Sequence, residues 1–359
     1  MFKHYFNIIA IGCFVFLSSC SATKIHTLSA LEPASVDLSV TITKIGIVNE
    51  SVASGESAYT TRIEQLLSVK DRQLEKEGKD AAIAGLFDEL LKDQRFDTVQ
   101  LIETEFNNGK GLGDSTENIS WSAIKDVCDT HNVDAIFSLA YYEADTQVSL
   151  KKKAVEEQNM LRQYVKVQGH EITLETLIEN GWRIYDPYNK KVIDEIVFND
   201  HITSIGTGTN PVYALEDVSD RREAVLEQSK HSGSNYGLRL LPQERDLQRD
   251  YFVRGTEKFI KAQKLLDEGD WEGAAALWEA EVTNGNPKIK SRASYNMAFY
   301  NEFKGDLEAA MDWATISYGY DENKVTLDYL NALRDRIDQN KIVQQQLERS
   351  ALSASINLP

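Results

Sequence analysis

Cysteine is scarce in this chain, with 3 in 359 residues, at Cys13, Cys20 and Cys128. So few thiols exclude a disulfide-stapled scaffold. No Cys-x-x-Cys pair, Gly-x-Ser-x-Gly elbow or dinucleotide fingerprint occurs in the sequence, so no local motif points to redox, acyl-transfer or nucleotide chemistry. Histidine is thin as well. His170-Glu171 lacks the second histidine of a zinc-protease helix and sits in a strand-like alternation, so no metal or cofactor is expected. Positive charge is in short supply: 39 Lys and Arg against 56 Asp and Glu give a formal charge of −17. That balance, with no basic face in the sequence, argues against nucleic acid as a partner. The longest apolar run, residues 5–17, is shorter than the roughly 20 residues that span a bilayer as a helix.

What is present begins at the N-terminus. Lys3 and His4 precede the apolar run, which ends in Leu17-Ser18-Ser19-Cys20. This stretch resembles a bacterial lipobox. The resemblance implies that residues 1–19 are a signal peptide and that Cys20 is lipidated, palmitate among its acyl chains. It also implies the outer membrane, because Ser21 is not the aspartate that retains such proteins at the inner membrane. The residues that follow lack the acidic cluster that sends some lipoproteins to the cell surface, which favours the periplasmic face. Each buried methylene contributes about 0.8 kcal/mol, and stable anchoring takes more than one chain. Residues 20–35 are then expected to be a lipidated tether. Cys128 would remain as the one thiol, on an apolar helical stripe with Ile124 and Val127, where a small buried hydrophobe is expected.

Residues 36–218 read as an α/β domain. Val36, Leu38, Val40 and Ile42 alternate with polar residues, predicting a strand, and the phase shifts to Ile45 and Ile47 near Lys44. Lys70 to Asp80 is a charge run, read as a solvated helix face or loop. Ile83, Leu86, Phe87, Leu90 and Leu91 form a helical stripe. Ser120 is placed to cap the next helix, and residues 135–142 form an apolar strand of the kind covered on both faces. Lys151-Lys152-Lys153 reads as a solvated turn or helix end. Antiparallel strands follow from Tyr164, with a turn at Asp186-Pro187-Tyr188-Asn189-Lys190. The strand at Asn132 to Phe137 and the hairpin from Trp182 to Val192 resemble, weakly, the small domains of the curli secretion lipoprotein and of peptidoglycan synthase activator lipoproteins. The two-part layout is closer to bacterial outer-membrane lipoproteins of no characterised activity, and that resemblance supplies none.

Residues 219–242 are expected to be a connector of helix and loop, with a helix from about Ser219. The glycines of Gly206-Thr207-Gly208-Thr209-Asn210-Pro211 lack the Gly-Lys-Ser/Thr end of a phosphate loop and read as a plain loop, as does Ser232-Gly233-Ser234-Asn235. Pro242 is expected to open a long helical stretch through Leu247 and Tyr251.

Gly269-Asp270-Trp271 and Gly305-Asp306-Leu307 stand 36 residues apart, against the roughly 34-residue period of tetratricopeptide repeats. Glycine would end one helix of each unit and aspartate would cap the next. Residues 243–340 are therefore expected to form a tetratricopeptide-like helical domain, with Pro287 closing the first unit and 341–359 a polar tail. Trp271, Trp278, Tyr295 and Asn296 are its candidates for repeat packing or partner binding. The expected fold is an N-terminal α/β sandwich with a mixed sheet, followed by this all-α domain. The expected function is a non-enzymatic, membrane-tethered adaptor for an envelope protein or peptide. The alternatives are a glycan or small-ligand binder using the α/β domain and, third, an enzyme with a non-local site.

Overall fold

The computed structural model describes residues 22–51, 62–103, 120–158 and 160–356. Residues 1–19 and Cys20 lie outside the described residues. In chain order the elements are β1 (Thr23–Glu32), β2 (Lys44–Asn49), α1 (Arg62–Leu90), β3 (Thr98–Leu101), α2 (Trp121–His131) and β4 (Ala135–Gln158). β5 (Tyr164–Asp186), β6 (Lys191–Gly208), α3 (Pro211–Glu216), α4 (Arg221–Leu238) and β7 (Gln243–Phe252) follow. The chain continues through α5 (Glu257–Asp267), α6 (Trp271–Val282), α7 (Pro287–Phe303), α8 (Leu307–Tyr320) and α9 (Lys324–Ile356). These elements group into two compact units. Among the described residues, one holds residues 22–33 with Gln243–Gln345, and the other holds Ala34–Pro242 with residues 346–356.

The larger unit is built on a mixed sheet in the order β3-β2-β4-β5-β6. β3, β2 and the start of β4 run parallel, and β4, β5 and β6 run antiparallel. Alternation explains the layers. Ile45, Ile47, Phe137 and Leu139 join Leu86, Leu90, Val225 and Tyr236 beneath α1 and α4. Val48 and Ile136, from the opposite face, pack with Ile124 and Cys128 of α2. Covered on both sides, β2 and the first residues of β4 carry apolar side chains on both faces.

Several segments depart from the sequence expectation. Residues 36–43 form no strand; Val36, Leu38 and Ile42 are buried, but this irregular stretch has no ladder partner and is tied down by the Val36 amide donating to the Arg239 carbonyl. The charge run lies inside α1, with Arg72, Lys76 and Asp80 on an exposed face as expected, but Glu75 and Lys79, each 7% exposed, are buried and pair at 2.7 Å one helical turn apart. Leu91 falls beyond the helix and is exposed. Lys151–Lys153 lie in β4, which continues to Gln158. The Gly206–Pro211 stretch is the end of β6 and the start of α3, where Asn210 Oδ1 accepts from the amides of Val212 and Tyr213. Ser232-Gly233-Ser234-Asn235 runs inside α4. Its small residues form a contact face: a Cβ on Gly233 would run into the Ala82 carbonyl of α1, so the two helices cross at backbone distance.

The smaller unit begins with a two-stranded ribbon. β1 pairs with β7 in antiparallel register from Thr23↔Phe252 to Glu32↔Gln243. Residues 23–32, expected in a tether, are therefore strand, and so are residues 243–252, expected to be helical. Leu28 and Tyr251 enter the core with Phe259, Trp278, Met297 and Phe299. Pro287, expected at the close of the first unit, stands after the end of α6 and opens α7; a proline at the first helical position sacrifices no hydrogen bond. Glu302 of α7 is fully buried and accepts from Arg249 of β7 at 3.1 Å, Tyr329 of α9 at 2.7 Å and Arg336 of α9. α9 runs on through most of the expected polar tail. Its residue Gln346, in the larger unit, accepts from the Ala34 amide at 2.9 Å, and Arg349 pairs with Asp37.

Candidate functional site

The two Gly-Asp joints share one local geometry. Gly269 and Gly305 have φ of 83° and 82°, the left-handed region that glycine enters without penalty. In each joint the aspartate amide reaches back five residues, Asp270 to the Leu265 carbonyl and Asp306 to the Asn301 carbonyl, which is the Schellman closure. The same aspartates then cap the next helix, Asp270 accepting from Gly273 N at 2.9 Å and Asp306 from Ala309 N at 3.0 Å.

The first joint sets Trp271 at the surface. Its ring stacks on Phe303 with centroids 3.5 Å apart and planes 3° from parallel, and His26 meets it edge-on at 5.0 Å. Phe303 is 43% exposed and Trp271 half-buried. Burial lowers the His26 pKa against the opposing pull of Asp267, which favours the neutral imidazole as a flat, amphipathic wall of the patch. The other candidates lie inside. Trp278 is fully buried against Tyr251 and Phe299. Tyr295 is buried between Phe252 and Tyr329, its hydroxyl pKa raised chiefly by burial and further by Asp250 and Glu302. Asn296 brackets the Phe252 backbone, accepting from its amide at 2.8 Å and donating to its carbonyl at 2.7 Å. It thus acts as one more strand partner for β7. Sequence reasoning named Trp271 but missed Phe303 and His26; Phe303 lies one turn beyond Phe299, while His26 comes from a strand paired across more than 200 residues.

The larger unit contains a recess of about 310 Å³. Leu67 and Leu74 of α1, Leu174 of β5, Leu215 of α3 and Val218 make its apolar wall, and Arg222 with Glu77 closes one side at 2.8 Å. Beneath it Arg221 donates to Asp71, Thr146 and Thr176. Burial raises the Asp71 carboxyl pKa, the adjacent Arg221 guanidinium pulls it down, and Asp145 adds to the rise. A second polar cluster lies where β2 ends. Glu50 Oε2 accepts from Ser138 at 2.7 Å and Tyr185 at 3.0 Å, and its Oε1 is buried without a partner. Cys128 is fully buried and its thiol is pushed up to about 12, first by burial and then by Asp129, Asp134 and Asp186, so it is inert as a nucleophile. No cluster of His, Cys, Asp and Glu among the described residues is arranged to hold a metal ion.

Residues 42–252 match the family described as Domain of unknown function (DUF8603), more than half of the 359 residues, and the chain belongs to that family. Residues 260–335 match a second, described as Domain of unknown function (DUF6340). No curated protein matches the chain. Among solved structures it is similar to the PelC dodecamer from Paraburkholderia phytofirmans, at 10% identity over 59% of this chain and 96% of that one, with a TM-score of 0.23. It is similar also to a protein described as a neuraminyllactose-binding hemagglutinin homolog from Helicobacter pylori, at 9% identity over 63% and 90% of the two chains, with a TM-score of 0.25.

Proposed function

We propose that this chain is a non-enzymatic cell-envelope adaptor, anchored in the outer membrane by acylation of Cys20 and facing the periplasm. In this reading α5 to α8 are two tetratricopeptide-like hairpins that bind an envelope protein or peptide. The observation that carries it is the stacked Trp271–Phe303 pair, left at the surface by the Gly-Asp joint while its neighbours are buried. Large aromatic groups on a rigid scaffold dominate the energetics of protein interfaces. Cross-linking in cells from Lys304, beside the pair, compares the full chain with Phe303→Ser. Loss of one defined adduct in the variant is expected; an unchanged adduct pattern sinks the proposal. The anchor is tested separately, since Cys20→Ser should release the chain from the membrane fraction.

The recess between α1, β5 and α3 favours a second reading, a small ligand or glycan held by the larger unit. Its size and mixed lining suit a small amphipathic molecule. Thermal stabilisation of the full chain by cell-wall fragments, abolished by Leu215→Trp, would favour it. Absence of any shift would dismiss it.

A further inference from the structure

The α5–α6 and α7–α8 joints lie at one end of the smaller unit, because Trp271, which opens α6, stacks on Phe303, which ends α7. Charge around the stack is one-sided. In residues 267–272 and 303–308, Asp267, Glu268, Asp270, Glu272, Asp306 and Glu308 are all exposed, and Lys304 is the only base. Part of this charge is already answered. Asp270 and Asp306 cap the positive N-termini of α6 and α8, and Lys24 meets Asp267 at 3.8 Å. Arg249 and Arg336 are both held by buried Glu302. Glu268, Glu272 and Glu308 remain, and among the described residues none of the ion pairs of this unit includes them. Glu272 is fixed beside the stack, where it accepts from the Tyr300 hydroxyl at 3.4 Å.

The aromatic surface suits the same partner charge. Trp271 covers one face of Phe303, so the 43% of Phe303 that stays exposed belongs to its other face and rim. The face of an aromatic ring is the negative part of its quadrupole and attracts a cation within about 6 Å of the centroid. The chain uses this attraction one helical turn earlier, where Lys304 Nζ lies 5.3 Å from the Tyr300 centroid. Among the described residues no cation of this unit is placed over Phe303 or Trp271. An acidic partner group would be repelled here, and an apolar one would leave carboxylates stripped of water and unanswered. Arginine meets both demands, since its planar guanidinium stacks on a ring while its N–H groups donate to a carboxylate.

We propose that the surface formed by Trp271 and Phe303 docks a basic segment of a partner protein. An arginine of that segment stacks on the outer face of Phe303, held in the field of Glu272, Glu268 and Glu308. This rests on the reading of the stacked pair as a docking surface and supplies the chemistry of what docks there.

The probes are fluorescein-labelled peptides of equal length that alternate serine with arginine, with glutamate or with proline. Anisotropy with the purified full chain carrying Cys20→Ser should show the arginine peptide binding about tenfold more tightly than either other peptide. Phe303→Leu keeps apolar bulk and removes the ring, and should weaken the arginine peptide about threefold or more. Glu268→Gln with Glu272→Gln should weaken it to a similar degree and flatten its salt dependence. Glu244→Gln with Asp246→Asn removes the same charge from exposed positions near the start of β7 and should leave binding unchanged. An arginine peptide that binds no more tightly than the others, an unaffected Phe303→Leu chain, or equal losses in the two charge variants overturns the proposal. If Phe303→Ser removes the cellular adduct while the three peptides bind alike, the docking surface stands and its basic partner falls.

Discussion

Glu50 shows how one side chain can set a pH dependence. It follows β2 directly, and burial pushes its carboxyl pKa above the usual carboxylate range; Ser138, Tyr185 and Arg183 oppose this only in part. A carboxyl with a raised folded pKa binds its proton more tightly in the folded chain than in the unfolded one. It therefore favours folding at low pH, and that contribution is lost as pH rises through the folded value. At neutral pH the charge is a cost, increased by the unpartnered Oε1. Glu50→Gln keeps an acceptor for Ser138 and Tyr185 and removes the charge. It is expected to raise stability at pH 7, because the buried charge is gone while the position of the unpartnered oxygen stays unpaired in both chains. The gain should vanish below the ordinary glutamate value of about 4.3. Thermal melts at pH 7 and pH 4 check this, and a gain equal at both would refute it. Nothing in the sequence marks Glu50, because its environment comes from β4 and β5, nearly 90 and 135 residues away.

At the scale of elements, the parts written in local chemistry were legible and the parts that depend on a distant neighbour were not. The Gly-Asp joints announce themselves because a left-handed glycine and a capping aspartate act within a few residues. A Cβ at Gly305 would meet nothing within 4 Å, so the cost of Gly305→Ala is purely conformational, about 1–2 kcal/mol. Gly305→Asn should recover much of that loss, since asparagine tolerates the left-handed region, and Asp306→Ala should cost about 1 kcal/mol. Denaturant unfolding of the three variants checks the order; alanine and asparagine behaving alike would remove the left-handed account. Elsewhere the same local vocabulary misled. Ser232-Gly233-Ser234-Asn235 has the composition of a loop, yet those residues are small because α1 passes at backbone distance. Glu75 and Lys79 look solvated, yet one turn apart on α1 they neutralise each other and are buried as a pair. Leu247 and Tyr251 share a helical spacing, yet β7 is held extended by β1 and by Asn296. Of the candidate surface, Trp271 could be named from its joint; Phe303 and His26 needed the fold.

Over the whole molecule, the feature least visible in the sequence is the pairing of β1 with β7. Contiguous segments were expected to be domains, with residues 20–35 a tether, 36–218 the α/β domain and 243–340 the helical domain. The compact units are instead discontinuous, and the helical one takes its N-terminal strand from the supposed tether. A ten-residue polar stretch cannot declare a partner more than 200 residues away, and its one buried side chain, Leu28, is too little for a periodic signal. That side chain now separates the two accounts. A tether residue contributes nothing to folding, so Leu28→Ala would leave stability unchanged within about 0.5 kcal/mol. In the structure Leu28 is 4% exposed and packs in the core with Tyr251, Trp278 and Phe299. Its truncation is therefore expected to cost about 2–3 kcal/mol, the range for a buried leucine whose site relaxes partly. Thr27→Ala, one residue earlier and exposed, is the matched control and should lie within about 0.5 kcal/mol of the parent. Denaturant unfolding followed by tryptophan fluorescence reads both, since Trp271 and Trp278 lie in or beside that core. If Leu28→Ala and Thr27→Ala unfold together with the parent chain, β1 is a tether after all and the helical unit stands without it.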